Sequence, residues 1–175
     1  MKKKIIQATE QVEIRLNKFI ANAGICSRRD ADQLILSGKV TVNDQVVQVL
    51  GTKIMPTDKI TYLKKIIQSE KLQYVLLNKP KDFITTTQDP QNRRTVMTLI
   101  EKACVERIYP VGRLDRHTTG LLLFTNDGDL AKRLTHPKYK IKKIYQLELD
   151  KPIIEAHYNE ITAGVHLEDG LASVD

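Results

Sequence analysis

The segment IYPVGRLDRHTTGLLLFTNDGDLAKRL, residues 108–134, restricts the fold of this chain more than any other. LLLFT is too short and too apolar for a surface helix and reads as a central β-strand. Gly112 and Gly120 bracket a polar turn ahead of it, and NDG after it is a strong turn signal before a helix beginning near Asp129. Around this centre, QYVLLNK is a buried-looking strand stopped by Pro80, and FITTT is β-rich. QDPQNRR is a polar loop before a short helix around Val96 to Lys102.

The preceding part has a different grammar. In IRLNKFIANAG, Leu16, Phe19, Ile20 and Ala23 recur at helical spacing, and Gly24 stands where a helix ends. Ser27 with Asp30 forms a capping box ahead of a second helix, which Gly38 closes. Short alternating strands follow at KVTV and QVVQ, separated by the turn residues Asn43 and Asp44. The expected divisions are a flexible basic N-terminus over 1–13, a small helix-helix-strand domain over 14–62, a linker over 63–72 and a second domain over 73–175.

Charge narrows the class of partner. The 175 residues carry 28 Lys and Arg against 21 Asp and Glu, a net charge of +7, which suits a polyanion binder. Six of the basic and none of the acidic residues fall in 130–147. Apolar stretches such as Leu121–Phe124 are far below the roughly 18 residues of a membrane span, and MKKKIIQATEQ has no apolar core behind its lysines. Neither membrane insertion nor secretion is expected. Cys26 and Cys104, the two cysteines, lack CxxC or Cys/His spacing, which leaves disulfide and zinc frameworks without support and suits a reducing cytoplasm. HExxH, P-loop and GxGxxG motifs are absent, so metal, ATP and nicotinamide chemistry are not expected.

Two groups of residues stand out as candidates. Arg28 and Arg29 occupy the first turn of the second helix, where the macrodipole disfavours positive charge. Either they point at phosphates together with Arg15, Lys18 and Lys39, or they are solvated arginines whose helix is stabilised by packing. Asp115 lies between Arg113 and Arg116 on a loop feeding the central strand, where adjacent cations would keep a nucleophilic or basic carboxylate ionised. The competing reading is a loop aspartate in surface ion pairs, and His117 likewise reads as a solvated loop residue.

RLNKFIANAGICSRRDADQLILSGKVTVNDQVV resembles an S4 RNA-binding domain, and that resemblance implies RNA contact through the second helix and adjoining loop, with Ser27 in the SRRDA element. GRLDRHTTGLLLFTNDG is similar to the signature of the RsuA/RluB-type ribosomal RNA pseudouridine synthases. LLNKPKDFITTT resembles their N-K-P motif and KKIYQLEL their K-x-Y strand. The resemblance implies that Asp115 is the catalytic aspartate, that Tyr145 lies against the target uracil, and that Arg113 is near the space left by a flipped nucleotide. The resemblance makes ribosomal RNA or a pre-ribosomal particle the expected partner, and it implies an α+β fold: a small S4 helix-helix-strand domain followed by a mixed or antiparallel-sheet pseudouridine synthase catalytic domain.

Isomerising uridine to pseudouridine involves no redox change, so no cofactor is expected. The family pattern continues past the LEDG-like strand with a basic segment, whereas this sequence stops at Asp175. The catalytic domain is therefore expected to be its front part, truncated at the carboxy terminus. The alternative is a non-catalytic RNA-binding or ribosome-associated protein that keeps the fold without turnover.

Overall fold

The structure is a computed structural model that describes residues 12–168 and 170–172. The expected basic N-terminus over 1–13 lies outside the described residues, save for Val12 and Glu13. One compact unit runs to Lys140 and a second begins at Ile141.

In the first unit, β1 (Ile14–Arg15) leads directly into α1 (Leu16–Asn22), and α2 (Arg28–Leu36) follows after a turn. Gly24 between the helices has φ +74°, as a helix-ending glycine requires. Ser27 caps α2 by accepting from the Asp30 amide at 3.2 Å, while its own hydroxyl donates to the Asp30 carboxylate at 2.7 Å. The capping box is therefore present, closed side chain to side chain. Gly38, at φ +68°, ends the helical pair.

The chain then forms a four-stranded antiparallel sheet in the order β3-β2-β5-β6, from β2 (Val40–Val42), β3 (Gln45–Val46), β5 (Ile60–Tyr62) and β6 (Lys65–Ile66). Between β3 and β5, β4 (Lys53–Ile54) pairs separately with β1. Both hairpin turns put two consecutive residues in the left-handed region, Asn43-Asp44 and Leu63-Lys64. That geometry matches the twist of the strands it joins. Asn and Asp announce the first turn in sequence; Leu and Lys hide the second. β6 consequently pairs inside the stretch read as linker. Leu16, Ile20, Ala31, Ile35, Val40, Ile54 and Ile60 form the core between helices and sheet.

A three-stranded antiparallel sheet follows in the order β7-β9-β8, from β7 (Tyr74–Lys79), β8 (Tyr109–Val111) and β9 (Gly120–Thr125). LLLFT is its central strand, as expected, and α3 (Gly128–Thr135) begins on the Asp127 cap. The burial expected of QYVLLNK is corrected: β7 alternates, with Leu76 66% exposed and its neighbour Leu121 on β9 72% exposed. Only one face of this sheet packs, against Val96, Ile100 and Ile108, so apolar side chains on the other remain exposed. FITTT forms no strand beyond a single parallel bridge of Ile84 to Thr95, and the helix expected around Val96 to Lys102 is a 3₁₀ turn over Val96–Leu99.

The second unit contains α4 (Glu155–Ala163) and an antiparallel hairpin of β10 (Val165–Leu167) and β11 (Gly170–Ala172). The strand expected at KKIYQLEL is absent: residues 141–149 take no regular structure, and Tyr145 is 56% exposed. A strand is held by ladder hydrogen bonds to a neighbour, and among the described residues this segment has none. Alternation can mark a face without supplying the partner.

Candidate active site

Asp115 sits on the loop between β8 and β9, exposed, at the mouth of an open cleft of about 430 Å³. One side of the cleft is the loop from Ile84 to Arg93 and the other is Arg113 to Arg116. The two sides are stitched together by Thr85, whose hydroxyl donates to the Leu114 carbonyl at 2.6 Å and accepts from the Leu114 amide at 3.2 Å. The residue preceding Asp115 is thus fixed by both of its backbone groups.

Beneath the loop lies a residue the sequence reading used only as part of a motif. The Lys79 side chain is 0% exposed, and its ammonium donates to the carbonyls of Asp115 and Thr118 at 2.9 Å, Pro80 at 3.1 Å and Arg116 at 3.2 Å. Three of these four acceptors belong to the loop, so one ammonium holds the peptide path from Asp115 to Thr118. Burial pushes the Lys79 ammonium below its ordinary pKa, opposed by the charges of Asp115 and Asp82. The signal in sequence was a lysine ending an apolar strand just before proline, where a charge on the strand's inner face needs a polar destination.

The cations around Asp115 do not all serve it. Arg116 pairs with Asp82 at 3.4 Å, and His117 lies 3.7 Å from the same carboxylate. Arg113 is exposed and makes no ion pair among the described residues. The Asp115 carboxylate likewise has no ion pair among them, unlike the competing reading of a loop aspartate held in surface ion pairs. On the facing loop, Arg93 grips Asp89 through Nη2 at 2.7 Å and Nε at 3.1 Å, and the Arg93 amide donates to the same carboxylate at 2.7 Å. Those contacts hold the Asp89 carboxyl below the usual carboxylate range.

The candidate RNA-binding residues are more dispersed. Arg28, Arg29, Arg15 and Lys39 are exposed. Arg28 reaches Asn17 at 3.4 Å. Ser27 is occupied as the α2 cap, and Lys18 is paired with Asp129 on α3 at 2.8 Å. Tyr145 belongs to the unit beginning at Ile141. Among the described residues no helix is long and apolar enough to cross a membrane, and no cluster of His, Cys, Asp or Glu is placed to hold a metal ion.

Comparison with known proteins finds two matching regions. Residues 14–60 match the S4 domain and residues 73–168 match RNA pseudouridylate synthase. An uncharacterized RNA pseudouridine synthase of Aquifex aeolicus is 42% identical over 166 residues, covering 94% of this chain and 66% of that protein. The ribosomal large subunit pseudouridine synthase B of Bacillus subtilis is 44% identical over 156 residues, covering 89% of this chain and 64% of that protein. The chain thus spans a little under two thirds of each of these relatives. A crystal structure of a pseudouridylate synthase superposes with a TM-score of 0.54 at 27% identity, over 91% of this chain and 70% of that one. With an α+β fold, an S4 domain ahead of the synthase region and relatives of this kind, the chain belongs to the RNA pseudouridylate synthase family.

Proposed function

We propose that this chain carries the S4 domain and synthase region of a cytoplasmic enzyme that converts a uridine of ribosomal RNA to pseudouridine without a cofactor, with Asp115 as its catalytic carboxylate. The observation that supports this best is the Lys79 anchor, which fixes the backbone under Asp115 while leaving the carboxylate open to an arginine-lined cleft. The name of the Bacillus subtilis relative supports ribosomal RNA as the substrate class.

The reaction asks for a carboxylate free of strong partners. Asp115 either attacks C1′ as the N1–C1′ bond breaks, as a retaining glycosidase does, or removes the 2′ proton to give a glycal. The detached uracil then turns and C5 bonds to C1′ as the Asp115–C1′ ester bond breaks or, in the glycal route, as Asp115 returns the proton to C2′, and the C5 proton is lost to water. A uridine inside a stem must first leave its stack, at a cost of a few kcal/mol that phosphate contacts offset. Arg28, Arg29, Arg15 and Lys39 are assigned to those contacts, Arg113 to the space the nucleotide vacates, and Tyr145 to the face of the uracil.

Loss of the C5 proton provides the assay. With ribosomal RNA carrying tritium at uridine C5, Asp115→Asn is expected to retain RNA binding and lose tritium release, because the amide keeps the shape but has no nucleophilic oxygen. Tyr145→Phe is expected to lose far less than Tyr145→Ala. Turnover by Asp115→Asn, with deamidation excluded by mass spectrometry, would remove the aspartate from the mechanism.

A further inference from the structure

The loop facing Asp115 is built more firmly than a connecting loop needs to be. Its ends are tied where the Ile84 amide donates to Arg94 and the Val96 amide donates to Ile84, both at 3.0 Å, and Val96 is fully buried beneath them. Its interior is braced by Thr86, whose hydroxyl donates to the Gln88 carbonyl at 2.7 Å, and by the Asn92 amide donating to Asp89 at 3.2 Å. A surface loop with joined ends and internal packing is a rigid platform.

What the platform holds is Arg93. Asp89 is nearly covered, with its side chain 4% exposed, while the Arg93 side chain is 50% exposed. The ion pair uses Nε and Nη2, and Nη1 has no hydrogen bond among the described residues. An arginine gripped along one edge is fixed in orientation, with donors remaining for a second planar or tetrahedral anion. A surface pair of this type contributes little to stability, so packing alone is a weak reason for so exact a fit. Because Asp89 is neutralised in place, the unpaired negative charge in the cleft is Asp115, which turns an anion toward Arg93 and leaves the sugar for the carboxylate.

We infer that the loop from Ile84 to Val96 is a phosphate-binding loop, in which Arg93, oriented by Asp89, holds an RNA phosphodiester flanking the nucleotide presented to Asp115. This rests on the functional reading above. Arg93 is a binding residue and Asp89 a positioning residue acting through it.

Filter binding of the 175-residue chain to a ribosomal RNA stem-loop across a salt series tests this. Arg93→Gln should weaken binding several-fold and reduce the slope of log affinity against log salt by about 0.7, the loss of one phosphate contact in a single-stranded region. The double variant Asp89→Asn with Arg93→Gln keeps a neutral hydrogen-bonded pair in the loop and should show the same slope loss. Asp89→Asn alone keeps the charge but slackens the grip, so affinity should fall with the slope retained. Lower melting temperatures with an unchanged slope in both Arg93 variants would make Arg93 a structural brace and overturn the inference, even with tritium release intact. Failure of the unaltered chain to bind RNA would instead overturn the functional reading and this inference together.

Discussion

Lys79 carries its charge into the protein without a carboxylate to meet it: its hydrogen-bond acceptors are backbone carbonyls, all near Asp115. Lys79→Met should fill similar volume yet leave those carbonyls without their donor, costing about 3 kcal/mol of unfolding free energy in urea titration. Asp115→Asn, on an exposed side chain, should change stability by less than about 0.5 kcal/mol. Comparable losses in both would mean that the loop is not hung on Lys79. Asp89 supplies a pH dependence. Its carboxyl titrates lower in the folded protein than in the unfolded chain, so its contribution is complete above an unfolded value of about 4 and is lost as pH falls through the lower folded value. Amide exchange at Arg93 should accelerate at that acid end relative to neighbouring loop amides, and Asp89→Asn should abolish the excess. The GRLD motif made Asp115 a candidate from local sequence, whereas Lys79 acquired its role only when β7 paired with β9 and brought the ammonium under a loop some 36 residues away.

At the scale of elements, α2 shows a conflict between propensity and use. Arg28 and Arg29 occupy its first turn, with Asp30 as the acidic residue there, and Ser27 satisfies the Asp30 amide. Replacing both arginines with Ala should therefore leave the melting temperature unchanged or slightly raised, while RNA affinity falls several-fold and its salt slope flattens. An unchanged slope in filter binding would return both to ordinary solvated surface. Elements like α2 were legible because their signals are local: a cap, a glycine with positive φ, and an apolar stripe. The hairpin at Asn43-Asp44 was legible for the same reason, but the identical geometry at Leu63-Lys64 was imposed by strand pairing on residues that do not advertise it. The stretch around Tyr145 failed in the opposite direction, since the strand expected at KKIYQLEL joins no sheet among the described residues.

Within the unit that runs to Lys140, the S4 region and the first synthase sheet are joined by more than a covalent thread. Lys18 on α1 meets Asp129 on α3 at 2.8 Å, with side chains 31% and 74% exposed, so the pair is worth at most about 1 kcal/mol. Asp129→Ala should free Lys18 for phosphate and tighten RNA binding up to about fivefold, with little change in stability. Unaltered affinity would remove Lys18 from the RNA face. A stronger tie is Glu70, whose amide donates to the Asn22 carbonyl at 2.8 Å and whose carboxylate accepts from the Arg107 amide at 3.1 Å. A Cβ on residue 24 would displace that carboxylate, so Gly24 leaves the strap in place while supplying the positive φ. Asn126 adds two bonds, accepting from the Gln73 amide and donating to the Lys71 carbonyl. A connection strapped at Glu70, Lys71 and Gln73 cannot act as a swivel, and the protein then works as a calliper. On the proposed reading, the span from an RNA feature gripped by α2 to a uridine offered to Asp115 is set by the protein, so lengthening the intervening stem by one base pair should mislay the target even when every contacted nucleotide is preserved.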